Sequence, residues 1–370
     1  MNASRRIAAL TAVASLVCVL SAVSAGTPCV ASSAPQAVSA EATGGAAETT
    51  PSVPSTITIN AVGDMCFASA AGRLIARKGG KAPLAAVASL LKSTDLTLGN
   101  LECALSRRGS AVPGKAFTFR GDPKAIQGLN AAGFDAVSLG NNHARDYGAS
   151  ALLDTVRNLD KGHIVHAGAG ANRSAAFAPA IFRSKDATIA FLSYCQIGPA
   201  DFVAGSKRAG TAYTLNLKTV KAAVKAARRK ANYVIVSFHW GLEGHYTPTS
   251  TQVKFGRGAI DSGADLVLSE HPHVLQGVEF YHHRLIAYSL GNFVFSPGST
   301  AGHDSMILRI TIGPHGIASV VARPAYIGSG GAPALAKGSA AKRILGIIAR
   351  TSRGRKTHVS VGKTSATLKP

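Results

Sequence analysis

Residues 232–295 constrain the fold of this chain more than any other segment. Two apolar runs rich in β-branched residues lie there; the first ends at His239, and the second is followed closely by His271 and His273. Short runs of this composition are typical of strands that are buried in a sheet. Strands that end in imidazoles present nitrogen ligands at the sheet edge where the sites of α/β proteins assemble. The segment therefore predicts an α/β protein with a metal site at that edge.

Strand-like and helix-like segments alternate along the chain from Thr56 onward. The predicted strands are 56–62, 96–101, 134–139, 189–194, 233–238 and 266–268, and the predicted helices are 84–91, 123–132, 149–159, 218–230 and 252–262. Four later runs, at 277–281, 284–288, 306–312 and 318–323, are separated by short turns, which is typical of antiparallel strands. This order of elements predicts a layered α/β sandwich in a single large domain.

The N-terminus is typical of an exported protein. Arg5 and Arg6 precede an apolar run at 7–23 that ends in small residues, so residues 1–25 are predicted to be a secretory signal peptide. The run is also close to the shortest length that spans a bilayer, about 17–20 residues, so an uncleaved membrane anchor is the alternative.

Residues 26–370 are predicted to form three further parts. Residues 26–55 are rich in Ala, Ser, Thr, Pro and Gly, which predicts a flexible linker. Residues 56–325 form the predicted main domain, and residues 326–370 are predicted to be a basic C-terminal helix and tail. The expected location is outside the cell or in the cell envelope.

Positive charge is concentrated toward the C-terminus. The formal net charge is +22, and eleven Lys or Arg residues but no acidic residue follow Asp304. Such a surface concentrates polyanions, so an anionic polymer, the cell wall or a membrane is the expected partner, and a merely solvated basic face is the alternative. The basic region 337–369 is the predicted polymer-holding part. No helix-turn-helix, RNA-recognition or zinc-finger pattern is present, which disfavours nucleic acid.

Polar residues with ligand chemistry follow five of the predicted strands. They are Asp64, Glu102, the group Asn142, His143 and Asp146, then His239, and finally His271 with His273. Carboxylate, amide oxygen and imidazole together form a ligand set for Mn, Fe or Zn, and a pair of such ions suits hydrolysis. Each residue alone has an ordinary structural explanation, such as a turn or a hydrogen-bonded histidine. Their recurrence at successive strand ends predicts a shared metal site.

The chain resembles the CapA family of capsule and poly-γ-glutamate synthesis proteins, whose fold is related to the calcineurin-like metallophosphoesterases. The resemblance spans about residues 56–295. It is carried by Val-Gly-Asp at 62–64, Gly-Asn-Leu-Glu at 99–102, Ala-Gly-Phe-Asp at 132–135, Asn-Asn-His at 141–143, His-Trp-Gly at 239–241, His-Pro-His-Val at 271–274 and Tyr-Ser-Leu-Gly-Asn-Phe at 288–293. It implies a metallophosphatase-like α/β/β/α sandwich. It also implies a role in the synthesis, export or anchoring of an anionic surface polymer such as poly-γ-glutamate, with a membrane synthase complex as a further partner.

The resemblance also implies a role for each strand-end residue. Asp64 looks like a ligand of the first of two metal ions, Glu102 like the bridging carboxylate and Asn142 like an amide ligand. His239 and His271 look like ligands of one ion, and His273 like a ligand of the other. His143 looks like an unligated general acid that Asp146 orients.

Three further residues are candidate substrate contacts. Arg120 either binds an anionic group or forms a surface ion pair, and Asn292 either contacts substrate or caps a strand end. Glu243, two residues after the His-Trp-Gly segment, also carries the resemblance.

Three positions depart from the phosphoesterase pattern. Cys66 stands where that pattern has a histidine, Glu102 stands where it has an aspartate, and Glu270 stands where the family usually has a further histidine. Three functions therefore stay open: a polymer synthesis or anchoring protein, a metal-dependent hydrolase of phosphoesters or amides in envelope polymers, and a non-catalytic polymer-binding scaffold. Cys66 and Cys103 each lie within two residues of a predicted ligand, and they either form a disulfide or remain buried free thiols.

Overall fold

Two large β-sheets, two small two-stranded sheets and eight helices make up the part of the chain that the structure describes. The computed structural model describes residues 54–370, so the predicted signal peptide and almost all of the predicted linker lie outside the described residues. Numbered in chain order, the strands are β1 (Ile57–Met65), β2 (Leu96–Leu101), β3 (Ala104–Leu105), β4 (Arg120–Gly121), β5 (Ala136–Ser138), β6 (Val165–Ala167), β7 (Ala169–Gly170), β8 (Ala180–Ser184), β9 (Ala187–Cys195), β10 (Gly210–Thr211), β11 (Tyr233–His239), β12 (Leu266–Glu270), β13 (Val278–Tyr281), β14 (Arg284–Ala287), β15 (Asn292–Val294), β16 (Asp304–Gly313), β17 (Gly316–Ile327), β18 (Pro333–Leu335), β19 (His358–Val361) and β20 (Ala366–Lys369).

The helices differ widely in length. They are α1 (Ser69–Lys78), α2 (Ala88–Leu91), α3 (Ala125–Ala131), α4 (Gly148–Lys161), α5 (Arg173–Phe177), α6 (Leu217–Arg228), α7 (Ser250–Ile260) and α8 (Gly338–Arg353), with short 3₁₀ turns at Ala82–Leu84, Ala200–Phe202 and Thr300–His303. Within residues 54–370, no helix combines the length and the apolar character needed to cross a bilayer.

The first sheet has ten strands and the second has six. The first runs in the order β19-β20-β17-β16-β1-β2-β5-β6, with β15 paired to β1 and β18 paired to β17, and the second runs β13-β14-β12-β11-β9-β8. Strands β1, β2, β5 and β6 are parallel to one another, as are β9, β11, β12 and β14. Each sheet therefore has a parallel centre whose carboxyl ends share one edge.

The core has three layers of apolar contacts because residues alternate between the two faces of each strand. Ile59 of β1 and Ile235 of β11 belong to the cluster between the sheets. On the outer face of the second sheet, Val236 packs with Val220 and other residues of α6 and α7. On the outer face of the first sheet, Val62 packs against helices α1, α3 and α4. The predicted α/β/β/α sandwich is confirmed.

Two local predictions differ from the structure. The predicted helix at 84–91 is wrong: the chain forms the 3₁₀ turn Ala82–Leu84 and the single turn α2, because Val87 between them has a φ of −117°, outside the helical range. At the C-terminus, α8 is followed by the hairpin β19–β20, which pairs with β17 and extends the first sheet. The residues after the basic helix are thus part of the sheet.

Candidate metal centre

The centre forms where the parallel strands of both sheets end. Asp64 of β1 lies opposite Asn100 of β2, and Glu102 follows directly after β2. In the second sheet, His239 of β11 lies opposite Glu270 of β12, which places His271 at the same edge. All six predicted ligands, Asp64, Glu102, Asn142, His239, His271 and His273, are brought together here.

The position of Asp64 is fixed because the end of β1 packs closely against the backbone of Gly291. Its backbone N–H donates to the Gly291 carbonyl at 2.9 Å. A Cβ at the preceding Gly63 would lie 1.8 Å from that carbonyl oxygen, so only glycine fits there. The Gly-Asp pair at the end of β1 is therefore required by the packing of residue 291 against the strand.

The donor atoms fall into two groups that share Glu102. In the first group, His239 Nε2 lies 2.7 Å from Asn142 Oδ1, 3.2 Å from His271 Nδ1 and 3.4 Å from Glu102 Oε1. In the second group, His273 Nδ1 lies 3.3 Å from Asp64 Oδ2, and His273 Nε2 lies 4.0 Å from Glu102 Oε1. The spacings in the first group are those of ligand atoms around a common cation, given metal–ligand distances of about 2.0–2.2 Å. In the second group, His273 faces Asp64 with one ring nitrogen and Glu102 with the other, so it can offer one of the two to a cation.

Glu102 provides the test of whether a cation fits. Its side chain is fully buried, and neither carboxylate oxygen has a hydrogen-bond partner among residues 54–370. Burial, with the nearby charge of Asp64, raises the pKa of this carboxyl well above its ordinary value. A buried carboxylate without a donor is costly unless a cation or a proton compensates it. The residues present therefore fit a divalent cation, and Glu102 is the ligand that both donor groups share.

The histidines are held in different charge states. Burial lowers the pKa of His239 well below its usual value, and burial together with the charge of His273 lowers the pKa of His271 to about 3. Both imidazoles are thus neutral at pH 7 and have a nitrogen lone pair for a metal. Burial also disfavours a charged His273, but the carboxylates of Glu102 and Asp64 outweigh it and raise the pKa of His273 to about 10.

The backbone around Pro272 is strained. His271 has a φ of +97° and His273 a φ of +56°, in the left-handed region that side-chain-bearing residues rarely adopt. Such conformations persist where surrounding contacts enforce them, and they cluster at functional sites. The turn lets both imidazoles face the centre from one short segment. Asn292 supports this arrangement, because its Oδ1 lies 2.8 Å from His273 Nδ1.

His143 and Asp146 form a buried pair beside the donor groups. His143 Nδ1 lies 2.6 Å from Asp146 Oδ2, and His143 Nε2 faces Glu102 Oε1 at 3.9 Å. Burial lowers the pKa of His143, although Asp146 acts in the opposite direction. The ring of Phe119 stacks on the imidazole with centroids 4.3 Å apart. The structure thus places His143 with one nitrogen on Asp146 and the other toward the centre.

Lys115 was not expected from the sequence, yet it completes this pair. Its Nζ lies 2.6 Å from Asp146 Oδ1, 3.0 Å from His143 Nδ1 and 3.0 Å from the Phe117 carbonyl oxygen. The ammonium donates to the two oxygens, and it also lies close to the ring nitrogen of His143, whose N–H donates to Asp146. Lys115 therefore ties its own loop to the His143–Asp146 pair.

Asn100 and Asn141 were also missed as site residues. Asn100 Nδ2 donates to Asp64 Oδ1 at 2.7 Å, and Asn141 Nδ2 donates to Asn100 Oδ1 at 3.0 Å. Asn141 Oδ1 in turn accepts the backbone N–H of His143 at 3.0 Å. This chain of amides connects the first carboxylate to the histidine, and its members stand within the segments 99–102 and 141–143 that carry the resemblance.

The three candidate substrate contacts have different surroundings. Arg120 lies over the ring of Tyr147 at 4.2 Å and donates to the Gly109 carbonyl, with no contact to the donor groups. Glu243 is exposed in the loop after β11. Asn292 is buried and holds His273, so it supports a ligand.

Two of the positions that depart from the phosphoesterase pattern lie outside the donor groups. Cys66 and Cys103 are free, buried thiols next to each other, and burial raises the pKa of Cys66. The carboxyl of Glu270 points between the sheets, where Ser237 Oγ donates to it at 3.2 Å, beside a small cavity lined by Leu268 and Leu290. Burial, with the charge of Asp64, raises the pKa of Glu270 well above its ordinary value.

Comparison with known proteins places the chain in a family. The profile of the family described as "Bacterial capsule synthesis protein PGA_cap" matches residues 58–297, which include every member of the candidate metal centre. The capsule biosynthesis protein CapA of Bacillus anthracis is 28% identical over 281 residues, 74% of this chain and 68% of that protein. The PGA biosynthesis protein CapA of Bacillus subtilis (strain 168) is 28% identical over 257 residues, 69% and 67% respectively. Among solved structures, the NAD nucleotidase of Haemophilus influenzae is similar at 15% identity and a TM-score of 0.44, over 79% of this chain and 55% of that one. The chain belongs to the family of bacterial capsule synthesis proteins.

Proposed function

We propose that this protein is exported and acts in the synthesis, export or anchoring of an anionic cell-surface polymer, with poly-γ-glutamate as the favoured polymer. The observation that carries the proposal is the family match over residues 58–297, together with relatives named for capsule and PGA biosynthesis. The charged and apolar pattern of residues 1–25 supports export, and a net charge of +22 supports a polyanionic partner. A membrane synthase complex is the setting in which we expect the protein to work.

We propose further that the centre holds two divalent ions, of Mn, Fe or Zn. Asn142, His239 and His271 would hold one, Asp64 and His273 would hold the other, and Glu102 would contact both. When bound, such ions supply Lewis acidity and activate water for hydrolysis. The unpaired carboxylate of Glu102 and the neutral imidazoles of His239 and His271 support this assignment.

The arrangement of His143 favours a second candidate function, a metal-dependent hydrolase of phosphoesters or amides in envelope polymers. Its Nδ1 is held by Asp146 at 2.6 Å, while its Nε2 faces the centre. A histidine oriented in this way can hold a proton for a leaving group, which is the role of a general acid. Phe119 stacks on the ring and Lys115 binds the carboxylate, so both hold the pair in place.

A polymer-binding experiment on the full chain tests the main proposal. The purified protein, loaded with Mn²⁺, is mixed with fluorescent poly-γ-glutamate at low and high salt, with a neutral dextran as the control polymer. We expect binding to poly-γ-glutamate alone, weakening strongly as salt screens the charges. Equal binding to dextran, or an affinity that salt does not change, would contradict a polyanion-binding role.

Two further measurements separate the hydrolase from the non-catalytic scaffold. A hydrolase shortens the polymer or turns over a chromogenic phosphodiester, and His143→Ala removes this activity while the metal content persists. A scaffold shows neither activity, and its metal-to-protein ratio stays near zero after loading with Mn²⁺ or Zn²⁺.

A further inference from the structure

Helix α6 presents a row of positive charge along its solvent face. Lys218, Lys221, Lys225 and Arg229, the last at the C-cap of the helix, follow one another at spacings of three, four and four residues, which places them on one side. The opposite side is buried, where Val220 and other residues pack toward the second sheet. The row is about 16 Å long at 1.5 Å per residue.

The row has no counterion in the described structure. No acidic residue occurs between Asp201 and Glu243, whereas eight Lys or Arg residues do. Within residues 54–370, the α6 residue that forms a salt bridge is Arg228, which binds Asp265 at 2.8 Å and lies outside the row. The four side chains of the row are thus uncompensated.

A row of like charges lowers the stability of a helix, so its presence calls for an explanation. Like charges three or four residues apart repel one another and destabilise a helix. Helix α4 shows the usual solution in the same molecule, because its Asp154 binds Arg157 at 3.1 Å and Arg108 at 3.3 Å. A face built for solubility mixes both signs of charge in this way. Departures from such a stabilising charge pattern occur mainly at functional sites, which points to a function for the α6 row.

A groove adjoins the N-terminal half of α6. It has a volume of about 740 Å³ and is lined by α5, Ser206 and Thr219 of α6. The guanidinium of Arg173 lies over the Phe177 ring at 4.4 Å in its wall, and the other lining residues are uncharged. Serine, threonine and asparagine side chains there offer hydrogen-bond donors to a chain that enters the groove.

The free cations of helix α8 are more widely spaced than those of α6. On α8, Arg343 binds the Asp304 carboxylate at 2.6 Å and Arg353 donates to the Val359 carbonyl. Lys342 and Arg350, its remaining exposed cations, lie two turns apart with Gly346 between them. The longer row of uncompensated cations at helical spacing is therefore on α6 rather than on α8, although the sequence predicts residues 337–369 as the polymer-holding part.

We propose that the groove and the α6 row together form a docking surface for a flexible polymer that carries a carboxylate on each repeat. The inference rests on the proposed function, in which the partner is such a polymer, and it assigns the surface that holds it. The row is long enough to contact several consecutive carboxylates, and the groove accepts the backbone between them. The one aromatic ring of the groove is covered by Arg173, which disfavours base stacking.

Two charge-reversal variants of the full chain test this surface. One carries K218E, K221E and K225E, and the control carries K342E, R350E and K363E, all at exposed or partly exposed positions. The two variants have the same net charge. Affinity for fluorescent poly-γ-glutamate is measured by anisotropy in about 50 mM and about 300 mM NaCl, and thermal melts verify folding. We expect the α6 variant to lose at least about tenfold in affinity at low salt and the control to lose less than about threefold.

Each alternative result has a definite meaning. Equal losses in both variants would show that net charge alone governs binding, and a loss in the control alone would place the polymer on the C-terminal region; both results overturn the α6 surface. Anionic phospholipid vesicles serve as a second probe. If the α6 variant loses vesicle binding but keeps polymer binding, the surface is a membrane contact. If the wild-type protein fails to bind poly-γ-glutamate, the proposed function fails together with the α6 surface.

Discussion

Replacing Glu102 by Gln should have opposite effects on stability in the absence and in the presence of metal. The Glu102 carboxyl is fully buried without a donor, and its pKa is raised. A carboxyl whose pKa is higher in the folded state destabilises that state as the pH rises above its ordinary value of about 4.3. A neutral amide at this position removes that cost.

The size of each effect follows from general magnitudes. An unsatisfied buried group costs about 1–3 kcal/mol. For a domain of this length, the entropy of unfolding converts about 1 kcal/mol into about 1.5 °C of Tm. After treatment with a chelator, E102Q should therefore melt about 1.5–4.5 °C above the wild type at pH 7.5, and the difference should vanish near pH 4. Mn²⁺ at about 100 times its Kd stabilises the wild type by about 2.7 kcal/mol, or about 4 °C, and most of this gain should be lost in E102Q.

Glu279 provides a matched control. It is also buried, but Arg257 and the Tyr288 hydroxyl bond its carboxylate. E279Q should lower the Tm with and without metal, because it breaks bonds that the wild type makes. Thermal melts followed by circular dichroism compare the three proteins. The reasoning about Glu102 is refuted if E102Q lowers the metal-free Tm as E279Q does, or if Mn²⁺ stabilises E102Q as much as the wild type.

Three further predictions concern the surroundings of the centre. Lys115→Met should lower the free energy of unfolding in urea by about 3 kcal/mol, because the buried carboxylate of Asp146 loses its cation, while elemental analysis finds the metal content unchanged; a loss below about 1 kcal/mol would contradict this. Cys66→Ser should keep the metal-to-protein ratio of the wild type, because the thiol lies against Cys103, and a lower ratio would show thiolate ligation. At pH 7, metal binding should release about one to two protons per chain, because the pKa of His273 is raised to about 10 and that of Glu102 is also raised, and both groups must be deprotonated to bind. Calorimetry in two buffers with different ionisation enthalpies measures this release, metal affinity should fall as the pH falls, and binding without proton release would be inconsistent with these two ligands.

The convergence of the predicted ligands follows from the sequence, because the residues that end parallel strands lie at one edge of the sheet. Asp64, Glu102 and His239 each follow or end an apolar run, and parallel strands place such residues at one edge. The run at 96–101 gave both bounds of β2. The prediction that Glu102 is shared between two donor groups rested on the family resemblance, because the periodicity of a sequence does not show which side chains meet.

The loop at 106–119 shows what local patterns leave out. Lys115 reaches Asp146 because the flanking strands β3 and β4 pair and because the Phe119 N–H donates to Asp146. These contacts join residues about 30 positions apart, and no local periodicity reports them. The alternation of side chains then explains Arg120: its neighbour Phe119 packs on His143, so Arg120 points to the other side, over Tyr147.

The most direct test of a shared cation site is a crystal structure of the Mn²⁺-loaded protein with anomalous diffraction from the metal. We predict two anomalous peaks, one among Asn142, His239 and His271 and the other between Asp64 and His273, with Glu102 contacting both. Peaks elsewhere on the chain, or no peak at this sheet edge after loading, would contradict the account.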